Sequence, residues 1–164
     1  MVATNKNNYE EMRAKVFKHI FLPYRSLDWY QKPGNIKILV KGEGIRVRDI
    51  RGKEYIDGAA GWQFGIVGHG RVEIAEAILK QTAEITIVAP EFCNIPCIEL
   101  AEKLAEITPG DLTKVAFCNS GSEAVEAAMK MAKQYHVLNG EPRRHKMISR
   151  RGSYHGTTWA CMSV

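Results

Sequence analysis

The second half of the sequence alternates between helical and strand-like patterns, and this alternation restricts the fold more than any other feature. Apolar residues recur at helical spacing over residues 71–84, 97–107 and 121–138. Two short apolar runs, residues 114–118 and 146–149, predict strands. Strands that alternate with helices usually pair in parallel, because each helix carries the chain back across the sheet. We therefore predict an α/β fold with a mostly parallel sheet for this part of the chain.

The first third of the sequence has a different pattern. A helix is predicted near residues 10–20, and three short strands are predicted at residues 36–40, 45–49 and 54–57. Glycine turns separate the strands, and apolar and charged residues alternate in the second of them. The sequence predicts a small antiparallel meander here.

Composition and charge exclude several classes of protein. The 164 residues are 45% hydrophobic and 25% charged, which is typical of a folded chain. Apolar runs fall short of the roughly 20 residues that a membrane-spanning helix needs, and the N-terminus lacks the apolar stretch of a secretory signal. The net charge is +5, but the basic cluster at residues 143–151 contains no interleaved aromatic residues. We expect a cytoplasmic protein that binds neither nucleic acid nor membrane.

The four cysteines do not form a metal-binding pattern. Cys93 and Cys97 are one helical turn apart, but no second pair of ligands lies near them in the sequence. The number and spacing also do not fit a disulfide framework. We predict reduced, partly buried thiols and no metal site.

Glycine is concentrated between residues 58 and 70, where five glycines alternate with Trp62, Phe64 and His69. Such a density requires sharp turns or a close approach of the backbone to another group, so we expect a loop that forms part of a site. The gaps between the last three glycines run in the reverse order of the dinucleotide fingerprint. A Rossmann nicotinamide site is therefore not predicted.

The most informative segment is Cys118–Ala124, which lies where a predicted strand passes into a predicted helix. The first N–H groups of a helix have no partner inside it and the helix dipole adds positive charge, so such a junction attracts phosphate. Gly121 permits close approach, and Ser120 and Ser122 supply hydroxyl donors. Ser120 and Glu123 also have the spacing of a capping box. Phosphate binding and plain helix capping both remain open.

A second loop, residues 152–158, follows the predicted strand at residues 146–149. Ligands bind at the carboxyl ends of strands in open α/β sheets, so we expect this loop and the Ser120 loop to converge on one crevice. Tyr154 or His155 can stack on a heteroaromatic cofactor there. The alternative is that Tyr154 fills the core and His155 bonds a backbone carbonyl.

Residues 117–130 (FCNSGSEAVEAAMK) resemble the cofactor-phosphate motif of the class III aminotransferases, the ω-aminotransferase branch of the fold-type I pyridoxal-phosphate enzymes. Three further segments resemble the same family in the same order, namely residues 61–70, 100–104 and 148–156. The similarity runs from about Leu22 to the last residue. Four motifs in register are not expected by chance.

The resemblance implies a fold as well as a chemistry. The chain would be the N-terminal part of a fold-type I transferase that depends on pyridoxal 5′-phosphate. Residues 1–58 would supply a helix and a β-meander to the small domain. Residues 59–164 would form the first part of a mostly parallel, three-layer α/β/α large domain.

The resemblance also implies roles for individual residues. Gly121 and Ser122 would hold the cofactor phosphate, with Ser120 beside them. Tyr154 would stack on the pyridine ring, and His155 would lie next to that ring. These residues are the predicted cofactor-binding site.

For substrates and partners, the resemblance implies a small-molecule amine, an oxo acid and a second copy of the enzyme. Trp62 would line the substrate pocket. The family is dimeric with shared active sites, and residues 88–92 would lie near the partner's pocket. The residues that select the donor and the acceptor would lie beyond this chain.

Transamination needs a lysine that forms the Schiff base with the cofactor and an acid paired with the pyridine nitrogen. In the family both lie beyond residue 164, and Lys114 and Lys130 here are interpreted as surface charges. The apolar run at residues 159–164 predicts a strand that has been cut. We expect a longer enzyme, a missing C-terminal part, and no catalytic residue or activity in this chain alone.

Two functional hypotheses follow. In the first, the chain is the N-terminal portion of an aminotransferase that moves an amino group from an ω-amino acid or amine to an oxo acid such as pyruvate or 2-oxoglutarate. In the second, the chain is a fragment without catalysis that binds a phosphate ligand or serves in assembly.

Overall fold

The computed structural model describes residues 6–164. In this part of the chain there are six helices and three strands: α1 (Lys6–His19), α2 (Leu27–Gln31), β1 (Leu39–Glu43), β2 (Arg46–Asp49), β3 (Glu54–Ile56), α3 (Val72–Glu84), α4 (Ile95–Ile107), α5 (Gly121–Leu138) and α6 (Trp159–Met162).

The chain divides into two compact units, Met1–Ile87 and Val88–Val164. These units reflect packing within this chain, whereas the predicted boundary between residues 58 and 59 refers to the domains of a longer enzyme. That boundary stays a prediction.

The predicted meander is present in the first unit. β1 pairs with β2 and β2 pairs with β3, both antiparallel, in the order β1-β2-β3. β1 begins and ends later than predicted and takes in residues 41–43, which the sequence assigned to a turn. The reversal is confined to Gly44 and Ile45, because Gly44 adopts a left-handed φ of +54° that allows a tight turn.

A buried carboxylate organises the turn between β2 and β3. The Asp49 side chain is 1% exposed and accepts hydrogen bonds from the N–H groups of Arg51 (3.0 Å) and Lys53 (2.9 Å) and from the Tyr55 hydroxyl (2.8 Å). Burial by itself raises the pKa of Asp49, but these hydrogen bonds and the Arg51 guanidinium outweigh it, so the pKa lies below its ordinary value. The carboxylate therefore stabilises the turn in its ionised form.

A small apolar core forms around this turn. Ile50, Val47 and Ile36 are buried, and α1 contributes Tyr9, whose hydroxyl donates to the Ile36 carbonyl oxygen at 3.0 Å. α1 starts before the predicted residue 10 and ends at His19, which agrees with the predicted end. Its packing through Tyr9 ties the N-terminal helix to the meander.

The three long helices after the meander form as predicted but bury little. α3 and α5 match the predicted ranges within one residue, and α4 begins at Ile95, where Asn94 caps it by accepting from the Cys97 N–H at 3.0 Å. None of their described side chains is buried; on α3, Ile78 is 59% exposed. The apolar faces of these helices are therefore largely exposed in the described part of the chain. Within residues 6–164, the helices are too short or too polar to cross a membrane.

Two predicted strands of the second unit are not formed. Residues 114–118 and 146–149 have neither helical nor strand structure, and the sheet found within residues 6–164 is the antiparallel meander. A strand exists only when its N–H and C=O groups pair with a neighbouring strand. Neither segment has such a neighbour in the described part of the chain, so the predicted parallel pairing does not appear here.

The predicted strand at residues 159–164 is wrong. Residues Trp159–Met162 form the short helix α6, with Thr158 at its N-cap. Cys161, on α6, is 2% exposed and packs against the start of α5. An apolar run this short does not distinguish a strand from a buried helical turn, and packing against α5 decides for the helix.

Candidate functional site

Ser120 caps α5, as one of the two interpretations required. Its hydroxyl oxygen accepts from the Glu123 N–H at 3.2 Å, and a Glu123 carboxylate oxygen accepts in return from the Asn119 N–H at 2.8 Å. The return bond reaches one residue before the N-cap, which is a shifted form of the capping box. Capping does not exclude a ligand, because the hydroxyl hydrogen of Ser120 is still available and the side chain is exposed.

Gly121 and Ser122 follow the cap and differ in their surroundings. A Cβ built on Gly121 would meet no atom within 4 Å, so the space outside this helix end is open. Ser122 is half-buried, and its hydroxyl oxygen accepts from the Thr157 N–H at 2.9 Å. This bond crosses 35 residues of sequence and leaves the Ser122 hydroxyl hydrogen free to donate.

The loop at residues 152–158 and the start of α5 lie against each other, as the sequence predicted. A Cβ on Gly156 would lie 2.7 Å from the Ser122 hydroxyl oxygen and 2.9 Å from the Cys161 Cβ. The Cys161 thiol donates to the Ser122 carbonyl oxygen at 3.3 Å. Gly156 also has a φ of +135°, a conformation that other residues rarely adopt. Close packing therefore requires glycine at this position.

Tyr154 and His155 precede this contact and differ in how far their side chains are exposed. Tyr154 is 77% exposed and does not fill a core, so that alternative is wrong for this chain. His155 is half-buried, and its Nε2 atom is buried without a hydrogen-bond partner in the described part of the chain. The alternative in which this nitrogen bonds a backbone carbonyl is therefore not realised.

Two other buried polar atoms also lack partners within residues 6–164. One is the Thr158 hydroxyl oxygen and the other is a carboxylate oxygen of Glu126, one helical turn after Ser122 on α5. Buried polar atoms without partners are rare in folded proteins and call for a missing partner. The second unit thus keeps unused hydrogen-bonding capacity on α5 and on the loop that packs against it.

These observations fit a phosphate group. The N–H groups at the start of α5 precede its first internal bonds, Gly121 leaves open space, and Ser122 has a free hydroxyl hydrogen. The exposed ring of Tyr154 is available to stack on a flat heteroaromatic group. The residues present are therefore compatible with pyridoxal 5′-phosphate.

Trp62 lies in the first unit, in a turn with unusual backbone angles. It stacks at a tilt on Tyr24, with ring centroids 4.7 Å apart, and is 65% exposed. Its φ is +65°, and left-handed φ angles cost non-glycine residues roughly 1–2 kcal/mol each. The glycine-dense loop is thus strained at the residue that the family resemblance predicts to line the substrate pocket, and such strain is common at functional sites.

Several contributors were missed by the sequence analysis. Thr157 acts through its backbone N–H and Cys161 through burial, and neither property has a sequence signal. Asp57 and His69, which form a 2.9 Å hydrogen bond beside Trp62, were not paired either. The signal that existed was the glycine density around them, which indicated a constrained loop but not its partners.

A family model described as aminotransferase class-III matches residues 30–164. An adenosylmethionine-8-amino-7-oxononanoate aminotransferase of Methanocaldococcus jannaschii is 43% identical over 148 residues, which cover 90% of this chain and 32% of that protein. A taurine–pyruvate aminotransferase of Bilophila wadsworthia is 41% identical over 128 residues, covering 77% and 28% respectively. This chain spans about a third of the length of the relatives it matches.

Solved structures show the same relationship. An (S)-enantioselective ω-transaminase from Thermomicrobium roseum aligns with a TM-score of 0.89 and 40% identity, covering 94% of this chain and 35% of the other. The M. jannaschii enzyme aligns with a TM-score of 0.86. The chain therefore has the fold of the N-terminal part of these pyridoxal-phosphate-dependent enzymes. By sequence and by structure, it belongs to the class III aminotransferase family.

Proposed function

We propose that this chain is part of an enzyme that moves an amino group from an ω-amino acid or amine to an oxo acid such as pyruvate or 2-oxoglutarate. The observation that carries the proposal is the junction at the start of α5, where Gly121 borders open space and Ser122 is held by the 152–158 loop. Such a junction suits the phosphate of the cofactor on which the family depends. The name of the taurine–pyruvate relative agrees with an amine donor and an oxo-acid acceptor.

In this proposal the residues of α5 and the following loop hold the cofactor. The N–H group of Gly121 and the hydroxyl of Ser122 donate to the phosphate, and Ser120 keeps the helix end in place. Tyr154 covers the pyridine ring and His155 lies beside it. When bound, pyridoxal phosphate supplies an electron sink for amino-group transfer. Trp62 forms a wall of the substrate pocket.

The rest of the enzyme is proposed from the family resemblance. The lysine and the acid that transamination requires are supplied by residues outside this chain, which is inactive alone. Residues 1–58 belong to the small domain and residues 59–164 to the large one. The enzyme is a cytoplasmic homodimer with shared active sites.

The phosphate assignment is tested with Ser122→Ala in the complete enzyme. The change removes a charge-assisted hydrogen bond worth about 1.5–3 kcal/mol, so we expect cofactor retention to weaken by about 10- to 150-fold. Retention is measured by dialysis against buffer and absorbance of the bound cofactor. Unchanged retention would contradict the assignment.

The matched control is Ser26→Ala. Its hydroxyl also accepts from a backbone N–H group, that of Trp29 at 3.3 Å, but it caps α2 in the first unit. The control should retain the cofactor like the parent enzyme. A general loss in both variants would show an effect on stability and not on the phosphate.

The second hypothesis, a phosphate-binding or assembly fragment without catalysis, is separated from the first by turnover in the complete polypeptide. The complete polypeptide should convert pyruvate to alanine with an amine donor. Cofactor binding without any such turnover would favour the second hypothesis.

A further inference from the structure

The loop between β3 and α3 contains four consecutive residues in the left-handed region. Their φ angles are +46° at Ala60, +56° at Gly61, +65° at Trp62 and +72° at Gln63. Three of the four carry a Cβ, which approaches the following carbonyl oxygen in this conformation. Such a turn persists only when surrounding contacts hold it in place.

Asp57 supplies side-chain contacts to the turn, in addition to the backbone bond from the Gln63 N–H to the Ala59 oxygen at 2.8 Å and the Tyr24–Trp62 ring contact. One of its carboxylate oxygens accepts from the Gly61 N–H at 2.9 Å and also contacts the Nε2 atom of His69 at 2.9 Å. The Asp57 side chain is 17% exposed, so these bonds are partly shielded from water. The hydrogen bond from His69, followed by that from Gly61, lowers the pKa of Asp57, which keeps the carboxylate ionised.

His69 is itself fixed by the meander. Its backbone exchanges two hydrogen bonds with Gly44, His69 N–H to the Gly44 oxygen at 2.8 Å and Gly44 N–H to the His69 oxygen at 2.9 Å. Its ring lies over Gly42, where a Cβ would come within 2.7 Å of the imidazole Cγ. The backbone N–H of Asp57 donates to the Ile45 oxygen at 2.8 Å. Both partners of the Asp57–His69 bond are therefore attached to the β1–β2 hairpin.

We propose that Asp57 is a positioning residue, which with His69 holds the left-handed turn at residues 60–63 and thereby sets the orientation of Trp62 for the amine substrate. The inference rests on the proposed function, because it takes Trp62 as a wall of the substrate pocket. It extends the proposed function by naming the residue that orients Trp62 in the substrate pocket. Asp57 itself does not touch the substrate.

The first test measures the order of Trp62 directly in this chain. Replacing Trp29 and Trp159 by Phe leaves Trp62 as the single tryptophan. In that background we expect Asp57→Ala to lower the residual fluorescence anisotropy of Trp62 about twofold, since the turn loses its anchor. Asp57→Asn keeps an oxygen acceptor of the same shape and should restore at least about half of the lost anisotropy.

The control is Asp111→Ala, which removes an exposed carboxylate from the loop after α4. It should leave the anisotropy unchanged. Parental anisotropy in Asp57→Ala, or no restoration by Asp57→Asn, would overturn the proposal. If the Asp57→Ala variant loses its helical circular dichroism, the His69→Ala variant is tested in its stead. That variant keeps the Asp57 carboxylate and removes only its imidazole partner. The proposal requires the same loss of Trp62 order in that variant.

The second test uses the complete enzyme and separates this proposal from the proposed function. We expect Asp57→Ala to raise the KM for the amine about tenfold while kcat changes less than about twofold, since a misplaced wall weakens binding in the ground and transition states alike. An unchanged KM despite a mobile Trp62 would overturn the substrate role. Absence of aminotransferase activity in the parent enzyme would refute the proposed function, and the anisotropy result would still decide whether Asp57 holds the turn.

Discussion

The contact between the start of α5 and the 152–158 loop predicts a large effect for the smallest possible side-chain change, Gly156→Ala. The added methyl carbon would lie 2.7 Å from the Ser122 hydroxyl oxygen and 2.9 Å from the Cys161 Cβ. Both distances are shorter than real Cβ contacts allow, so a neighbour must move. Cys161 is 2% exposed and has little room to do so.

Two terms make up the expected loss of stability. Forcing a residue with a Cβ into a φ of +135° costs on the order of 1–3 kcal/mol. Overpacking against the buried Cys161 adds typically 1–3 kcal/mol. The sum is about 2–6 kcal/mol, a large part of the stability of an ordinary domain. Gly152→Ala, in the same loop, measures a backbone cost without overpacking. Its φ is +75°, but a Cβ there would meet no atom within 4 Å.

Equilibrium urea unfolding, followed by far-ultraviolet circular dichroism, measures the difference. With a slope of about 1–3 kcal/mol per molar urea, the extra steric term should place the Gly156→Ala midpoint about 1 M below that of Gly152→Ala. Equal midpoints would refute the reasoning, because they would mean that the loop does not pack on α5 as closely as the distances state.

Two further predictions concern single hydrogen-bonding groups. Ser120→Ala removes the cap of α5 and should lower the free energy of unfolding by about 1 kcal/mol, visible as a lower urea midpoint. No change would mean that the bond from the Asn119 N–H to the Glu123 carboxylate suffices. The pKa of Asp49 lies below its ordinary value of 3.8, so its stabilising effect is complete above that value and is lost as the pH falls through the native pKa. Urea midpoints measured at a series of pH values should therefore decrease as the pH falls below about 4, and Asp49→Asn should reduce this decrease. Other carboxylates with a lowered pKa, such as Asp57, contribute the remainder.

Local features could be predicted from the sequence because their partners are close along the chain. The helix Gly121–Leu138 and its cap depend on apolar spacing and on the separation of Ser120 and Glu123, which are three residues apart. The meander follows in the same way from alternation and from tight turns such as that at Gly44. These interactions need no knowledge of the rest of the fold.

The strand predictions failed where they depended on distant partners. Residues 114–118 have the composition of a strand, yet a strand requires a second backbone beside it, and the described chain offers none. The run Trp159–Met162 became a helix because burial of Cys161 against α5 outweighed its strand-like composition. Within that run Cys161 is buried, but Trp159 is 85% and Met162 65% exposed, so apolar character indicated neither the burial of the whole run nor its backbone conformation.

The residue types of the proposed cofactor site can be named from the sequence alone, since Gly121 and Ser122 stand at a helix start and Tyr154 stands in a loop. The individual contacts between these segments cannot be predicted from the sequence alone. The bond from Thr157 to Ser122 spans 35 residues, and the bond from His69 to Asp57 spans 12. Both join groups whose separation along the chain says nothing about their distance in space. Composition and spacing therefore determined the helices and the meander, and the resemblance of four motifs indicated the family. Tertiary packing decided which backbone N–H the Ser122 hydroxyl accepts from and which turn is held in a strained conformation.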